Sequence, residues 1–310
     1  MKLKLNFKKI WEFIVAVFDK WINDKAPKLG ASLAFYTMFS LAPLLVIAIS
    51  IAGFIFGADA ARGELVGQIE GLIGTEGAQV VQTALKNTND TESGIIAIVI
   101  SFVTLLIGST VVFAELQESL NIVWRVKPKP ERSIIKGLIK DRIQSFALVI
   151  TTGFLLLTSL IISALLSGLN NFISDKFIAV PVYILDVINL VISLGIIYLL
   201  FAMIYRILPD VHIRWKDVWV GALVTALLFV LGKYLIGIYL GTSTLGSTYG
   251  AAGSLVILLL WIYYSAQILF LGAEFTFIYA THIGPGYRPK SKFLIYEINP
   301  VTHDKDKITR

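Results

Sequence analysis

Long apolar runs separated by short polar stretches set the pattern of this chain. Six hydrophobic segments stand out, at about 31–56, 94–118, 143–167, 181–205, 217–240 and 251–280. Each reaches the roughly 20 residues that a helix needs to cross a bilayer. The first and last exceed it, so they are expected to tilt, bend or extend past the hydrocarbon. From Tyr234 onward, forty consecutive residues carry no formal charge, and the run ends at Glu274. This pattern predicts an all-α, polytopic membrane protein with six transmembrane helices.

The flanking stretches carry weaker periodicities. Trp11, Ile14, Val15, Phe18, Trp21 and Ile22 fall on one face of an N-terminal helix, with Lys8, Lys9, Glu12, Asp19 and Lys20 opposite. That helix fits the headgroup layer of an anionic leaflet, or else packs on the protein's own cytosolic base. It does not read as a signal peptide, because "FIVAVF" is short and flanked by Glu12 and Asp19. Within the long connection 57–93, two short amphipathic stretches separated by Gly74–Gly77 predict a helical outer loop, either a cap or a substrate-admitting lid. The expected organisation is an amphipathic helix in 1–30, a six-helix membrane domain in 31–281 and a polar, loosely ordered cytoplasmic tail in 282–310. "KPKPER" (127–132) reads as a stiff basic linker.

Composition agrees with the pattern. Of 310 residues, 56% are hydrophobic and 15% charged, with a mean hydropathy of +0.77. A soluble domain has about 25% charged residues. The net charge of +6 raises the question of nucleic acid, but the distribution of Lys and Arg answers it. Basic connections alternate with basic-poor ones along the chain, and twenty-three of the 27 basic residues lie on one side of the predicted topology. The positive-inside rule then makes that side, with both termini, cytoplasmic. No nucleic-acid partner needs to be invoked; membrane lipids and envelope proteins are the expected partners. The absence of cysteine excludes disulfides and thiolate metal sites.

Four local signatures then meet in order: "GASLAFYTMFSLAPLL" (30–45), "ESLNIVW" (118–124), "YRILPD" (205–210) and "YGAAGSLVILLLWIYYSAQILFLGAEF" (249–275). With six membrane segments, the chain resembles the YihY/BrkB family of bacterial inner-membrane proteins. The likeness runs from the N-terminal helix through Glu274 and leaves out the tail after about Pro289. The resemblance implies fold and an inner-membrane location more than chemistry. The family has carried a "ribonuclease BN-like" label and a link to serum resistance.

The residues give that label no support. His212, His282 and His303 form no H-x-H-x-D-H or H-E-x-x-H cluster, and no P-loop or G-x-S-x-G elbow is present. No catalytic residue, metal or cofactor is therefore expected. What remains is polar groups inside the membrane, which are costly and face protein or a water-filled cavity. Near the outer face, Lys233, Asp186 and Asn189 fall at similar depth and suggest a contact, with a structural pair or a snorkelling lysine as the alternative. Toward the inner side, Glu115, Arg206 and Glu274 approach one depth. Glu274 is expected to be neutralised by Arg206 or another basic neighbour, or else to be a protonatable carboxyl in a cavity. Gln267 lies two turns from Glu274 on the same helix face. Pro43 predicts a kink, which would leave Tyr36 and Ser40 on a cavity wall or simply curve the helix.

These residues suggest a protein that moves a lipid-like amphiphile or small solute without an ATPase of its own. The rival is a scaffold or assembly factor for envelope machinery, in which the polar sets only lock helices together.

Overall fold

A computed structural model of the chain describes residues 7–40, 63, 82, 111–129, 182–242, 253–291 and 293–296. The third hydrophobic segment (143–167), most of the outer loop 57–93 and Pro43 lie outside the described residues. So do residues 94–110 of the second segment and 41–56 of the first.

The described elements run as follows. Helix α1 spans Phe7–Asn23, and a two-residue turn at Asp24 and Lys25 leads into helix α2 over 26–40. Helix α3 covers 111–123, and strand β1 is Val126–Pro128. Then come α4 (Val182–Ile207), β2 (Val211–His212), α5 (Trp215–Thr242), α6 (Gly253–His282), β3 (Arg288–Pro289) and β4 (Phe293–Ile295). Lys25 and Arg125 take positive φ of 55° and 52°, so each sharp reversal after α1 and α3 rests on a left-handed residue. Gly286, at φ 84°, turns the chain out of α6, and its N–H donates to the Ala280 carbonyl at 2.8 Å.

Among the described residues, two helices are long and apolar enough to cross a membrane by length and composition, Trp215–Tyr239 and Leu255–His282. They pack on one another, with α4 against α5 and α1 against α6. Their apolar residues point both inward and outward: Leu223, Leu227, Leu231 and Leu235 of α5 are exposed, while Ala222, Thr225 and Ala226 are buried. A helix that is hydrophobic all round suits a lipid-facing bundle.

The strands are the departure from an all-helical expectation. β1 pairs antiparallel with β4 (Lys127 opposite Leu294), and β2 with β3 (Val211 opposite Pro289). The linker and the tail, expected to be a stiff spacer and a loose end, therefore strap each other across the basic end of the bundle, where α4 stops and α5 starts. Tyr296 N–H donates to Arg125 O and Lys290 N–H to Asp210 O, each at 2.9 Å.

Candidate functional site

Glu274 sits at the centre of a buried charge cluster. Its side chain is fully buried, and the Lys20 Nζ of α1 lies 2.7 Å from its Oε2. Lys20 is only 6% exposed, pairs with Asp24 one turn on, donates to the Val123 carbonyl at 2.8 Å and lies 4.1 Å over the Phe277 ring. Asp24 in turn faces Arg125, 3.6 Å away. Three buried ions, Lys20, Asp24 and Glu274, are thus balanced by Arg125 at the partly exposed edge, and pairing of this kind is how charge is tolerated at membrane depth. Breaking such a pair by removing one partner costs about 3–5 kcal/mol.

One expectation is corrected here, and the choice of cation for Glu274, left open between Arg206 and another basic neighbour, is narrowed. Lys20 does not lie on the water-facing side of α1. Phe13, Val17 and Lys20 form a third face that packs on α6, with Phe13 edge-on to Phe275 at 5.1 Å. The exposed apolar face is Ile10, Trp11, Ile14, Val15, Phe18 and Ile22, with Trp11 and Ile22 each 61% exposed. The cation that neutralises Glu274 is Lys20 and not Arg206. The Arg206 guanidinium donates to the Ile213 carbonyl and lies 5.4 Å over the Trp215 ring.

Beside this cluster α1, α5 and α6 enclose an open groove of about 270 Å³. Phe18 and Trp21 of α1, Leu231 and Gly232 of α5, and Tyr264 and Gln267 of α6 line it. Its wall is almost wholly apolar. The exceptions have no hydrogen-bond partner: the Trp21 indole N–H and both polar atoms of the Gln267 carboxamide are buried and unsatisfied. The carboxamide is lodged against α2, where a Cβ on Gly30 would lie 2.0 Å from Nε2. An unsatisfied buried group carries a desolvation cost of about 1–3 kcal/mol.

On the opposite face of α6 the hydroxyls are all bonded, although the Trp261 indole N–H, packed against Phe229, has no partner. Gly272 packs on Thr225, and Gly221 packs on Thr276, so that a Cβ on either glycine would meet the facing Oγ1 at 1.9 or 1.8 Å. Each threonine donates back to its own helix, Thr225 to Gly221 O at 2.7 Å and Thr276 to Gly272 O at 2.6 Å. The Tyr205 hydroxyl of α4 donates to Leu269 O at 2.7 Å and lies 3.0 Å from Thr225 Oγ1. Small residues every fourth position bring helix backbones together, and these hydroxyls satisfy polar groups without water. The Gly237–Gly241 spacing has no such role at its first position, since Gly237 is exposed with open space around it.

The other residues singled out in the sequence are dispersed. Glu115 accepts a hydrogen bond from Ser32 at 2.5 Å, joining α3 to α2. Ser40 is buried, whereas Tyr36 is exposed and rests against Phe35. Lys233 is half-buried on α5. Asp186 and Asn189 lie on α4, with side chains outside the described residues. Among the described residues, no group of three or more His, Cys, Asp and Glu could hold a metal ion.

Sequence reasoning passed over a second polar hub. Buried Asp210 accepts from Gln117 and Asn121 at 3.0 Å each, and Lys290 lies 3.5 Å away. Its own N–H donates to Asn121 Oδ1 at 2.8 Å. Asn121 belongs to "ESLNIVW" and Asp210 to "YRILPD", so two of the local signatures meet at one bond pair. Nearby, Trp124, Phe277 and Tyr287 pack edge to face within 5.1–5.5 Å. Burial pushes the Tyr287 phenol above its ordinary value, against the pull of Arg125.

The family model described as Virulence factor BrkB matches residues 17–293, which takes in the charge cluster, the groove and the Asp210 hub. The chain belongs to the BrkB family. Similar members are named UPF0761 membrane protein. The one from Tolumonas auensis is 28% identical over 259 residues, covering 82% of this chain and 80% of the relative. The one from Ralstonia nicotianae is 27% identical over 253 residues, covering 81% of this chain but 55% of the relative. A third, from Glaesserella parasuis, is 28% identical over 178 residues and 60% of its own length. The chain thus spans little more than half of some relatives. No solved structure matches it. With the apolar helices, these BrkB relatives make the chain a membrane protein.

Proposed function

We propose that this BrkB protein is a six-span protein of the bacterial inner membrane, with both termini cytoplasmic, that accepts a lipid-like amphiphile from the bilayer and helps it across. The observation that carries this reading is the groove between α1, α5 and α6. It is apolar, it opens among exposed leucines, and it holds unpartnered polar atoms. An apolar cleft with a few convergent polar groups is the usual form of a small-molecule site. No nucleotide-binding motif occurs in the sequence, so active transfer would draw on an ion gradient or a partner ATPase, and passive scrambling on neither. The groove gives no reason to assign catalysis.

The scaffold reading keeps one specific support, the charge cluster around Glu274. A balanced set of buried ions supports reading Glu274 as part of a clamp rather than as part of the transport path. The groove residues inherit that role. Vesicles reconstituted with the protein and a fluorescent phospholipid test the two readings. Transfer between leaflets that a Leu228→Trp plug abolishes supports the groove. Bare-vesicle rates, from protein folded to the same thermal midpoint, would favour the scaffold.

A further inference from the structure

The groove and the atoms around it point to a more specific occupant. We infer that it holds one ester-linked acyl chain of a glycerophospholipid drawn from the cytoplasmic leaflet. This rests on the proposal that the groove is an amphiphile site, and it concerns which chemistry the site recognises.

Three observations carry it. First, depth. Gln267 is seven residues from Glu274 along α6, about 10 Å at 1.5 Å per residue. The groove therefore runs from the level of the buried ions toward the middle of the helix, a span that one leaflet's chain covers. Second, continuity. Leu231 and Leu235 are more than half exposed and Phe18 nearly so, and all three also line the groove. A chain can enter sideways from lipid without crossing a polar barrier.

Third, the unpartnered polar atoms. Trp21 Nε1–H is a donor with no acceptor, and the Gln267 carboxamide has two more donor hydrogens. A chain that is hydrocarbon alone leaves all of them unsatisfied. An ester carbonyl is an acceptor without a hydrogen of its own, which is what an indole N–H requires. Trp21 sits one residue from Lys20, at the level of the ion cluster, and tryptophan favours this headgroup boundary. Rotation of the indole or the carboxamide toward the groove would exchange an unpaired donor for a bonded one. A long apolar wall with the Trp21 donor at its ion-cluster end matches an acyl chain with its ester, and not a free sugar or an inorganic ion.

Paired lipids of identical headgroup and chain length, one ester-linked and one ether-linked, test this on the full chain in nanodiscs, with native mass spectrometry counting bound lipid. The ether lipid lacks the carbonyls. Wild-type protein is expected to prefer the ester by about fivefold, the value of one neutral hydrogen bond. Trp21→Phe keeps the ring and removes the donor, so it is expected to lose that preference while still binding both lipids. Gln267→Leu serves as a second variant should Trp21→Phe fold poorly. Equal retention of the two lipids by wild type overturns the ester inference and leaves the amphiphile site standing. Retention of neither, or retention unchanged by the Leu228→Trp plug, overturns the amphiphile site itself.

Discussion

Helix α6 presents two faces with opposite treatment of their polar atoms. Toward α4 and α5, every hydroxyl is spoken for: Thr225 and Thr276 bond back to their own helices, and Tyr205 reaches Leu269 O. Toward α1 and α2, the Gln267 carboxamide has no partner, nor has the Trp21 indole beside it. The bonded face carries glycines opposite threonines, which fit only one register, whereas the other borders a groove. The hydroxyls that join α4, α5 and α6 are satisfied within the chain, whereas the Trp21 and Gln267 side chains that line the groove are not, a trait they share with the buried indoles of Trp124 and Trp261.

That contrast can be broken from either side. The largest effect is expected at the clamp, where Lys20→Met strands Glu274 and Asp24 with one cation between them. About 3–5 kcal/mol should be lost, read as a fall in thermal midpoint in detergent. Removing both partners in Lys20→Met/Glu274→Gln should recover most of it. Next comes the bonded face, where Gly272→Val drives a branched side chain into Thr225 and Tyr205. Overpacking of this kind costs about 1–3 kcal/mol, while Gly237→Val, in open space, should leave the midpoint almost unmoved. Tyr205→Phe should cost about 1 kcal/mol, one hydrogen bond with the ring retained. Smallest in stability is Leu228→Trp in the groove, expected within about 0.5 kcal/mol of wild type. That variant should nonetheless carry less co-purified lipid, which extraction and mass spectrometry would count.

The sequence carried the helices better than their partners. Apolar runs placed the end of α4, the start of α5 and the end of α6 within two residues of where they fall, because a long uncharged stretch has few other ways to satisfy its backbone. Glu274's need for a cation was equally plain, since an isolated charge there is too costly. Which cation was not. Lys20 falls on the border between the charged and apolar sides of α1, and only the reversal at Lys25 brings that border against α6. The strands escaped notice because two or three residues show no periodicity, and the Asp210 bonds join positions 89 apart. Gln267 stood out as a polar residue in an apolar run, but the groove beside it did not, because Trp21 looks like an ordinary face residue until three helices are set side by side.

Occupancy of the groove beside Gln267 by a lipid chain is open to direct measurement. Photo-crosslinking tests it most directly, using a phospholipid with a diazirine near the end of its acyl chain and peptide mapping of the adducts. Labelling is predicted to concentrate on Leu228, Leu231, Tyr264 and Leu271, several-fold above the exposed Leu223 and Leu227 on the outside of α5, and to vanish from the groove in Leu228→Trp. Labelling spread evenly over the exposed leucines, unchanged by the plug, would contradict it.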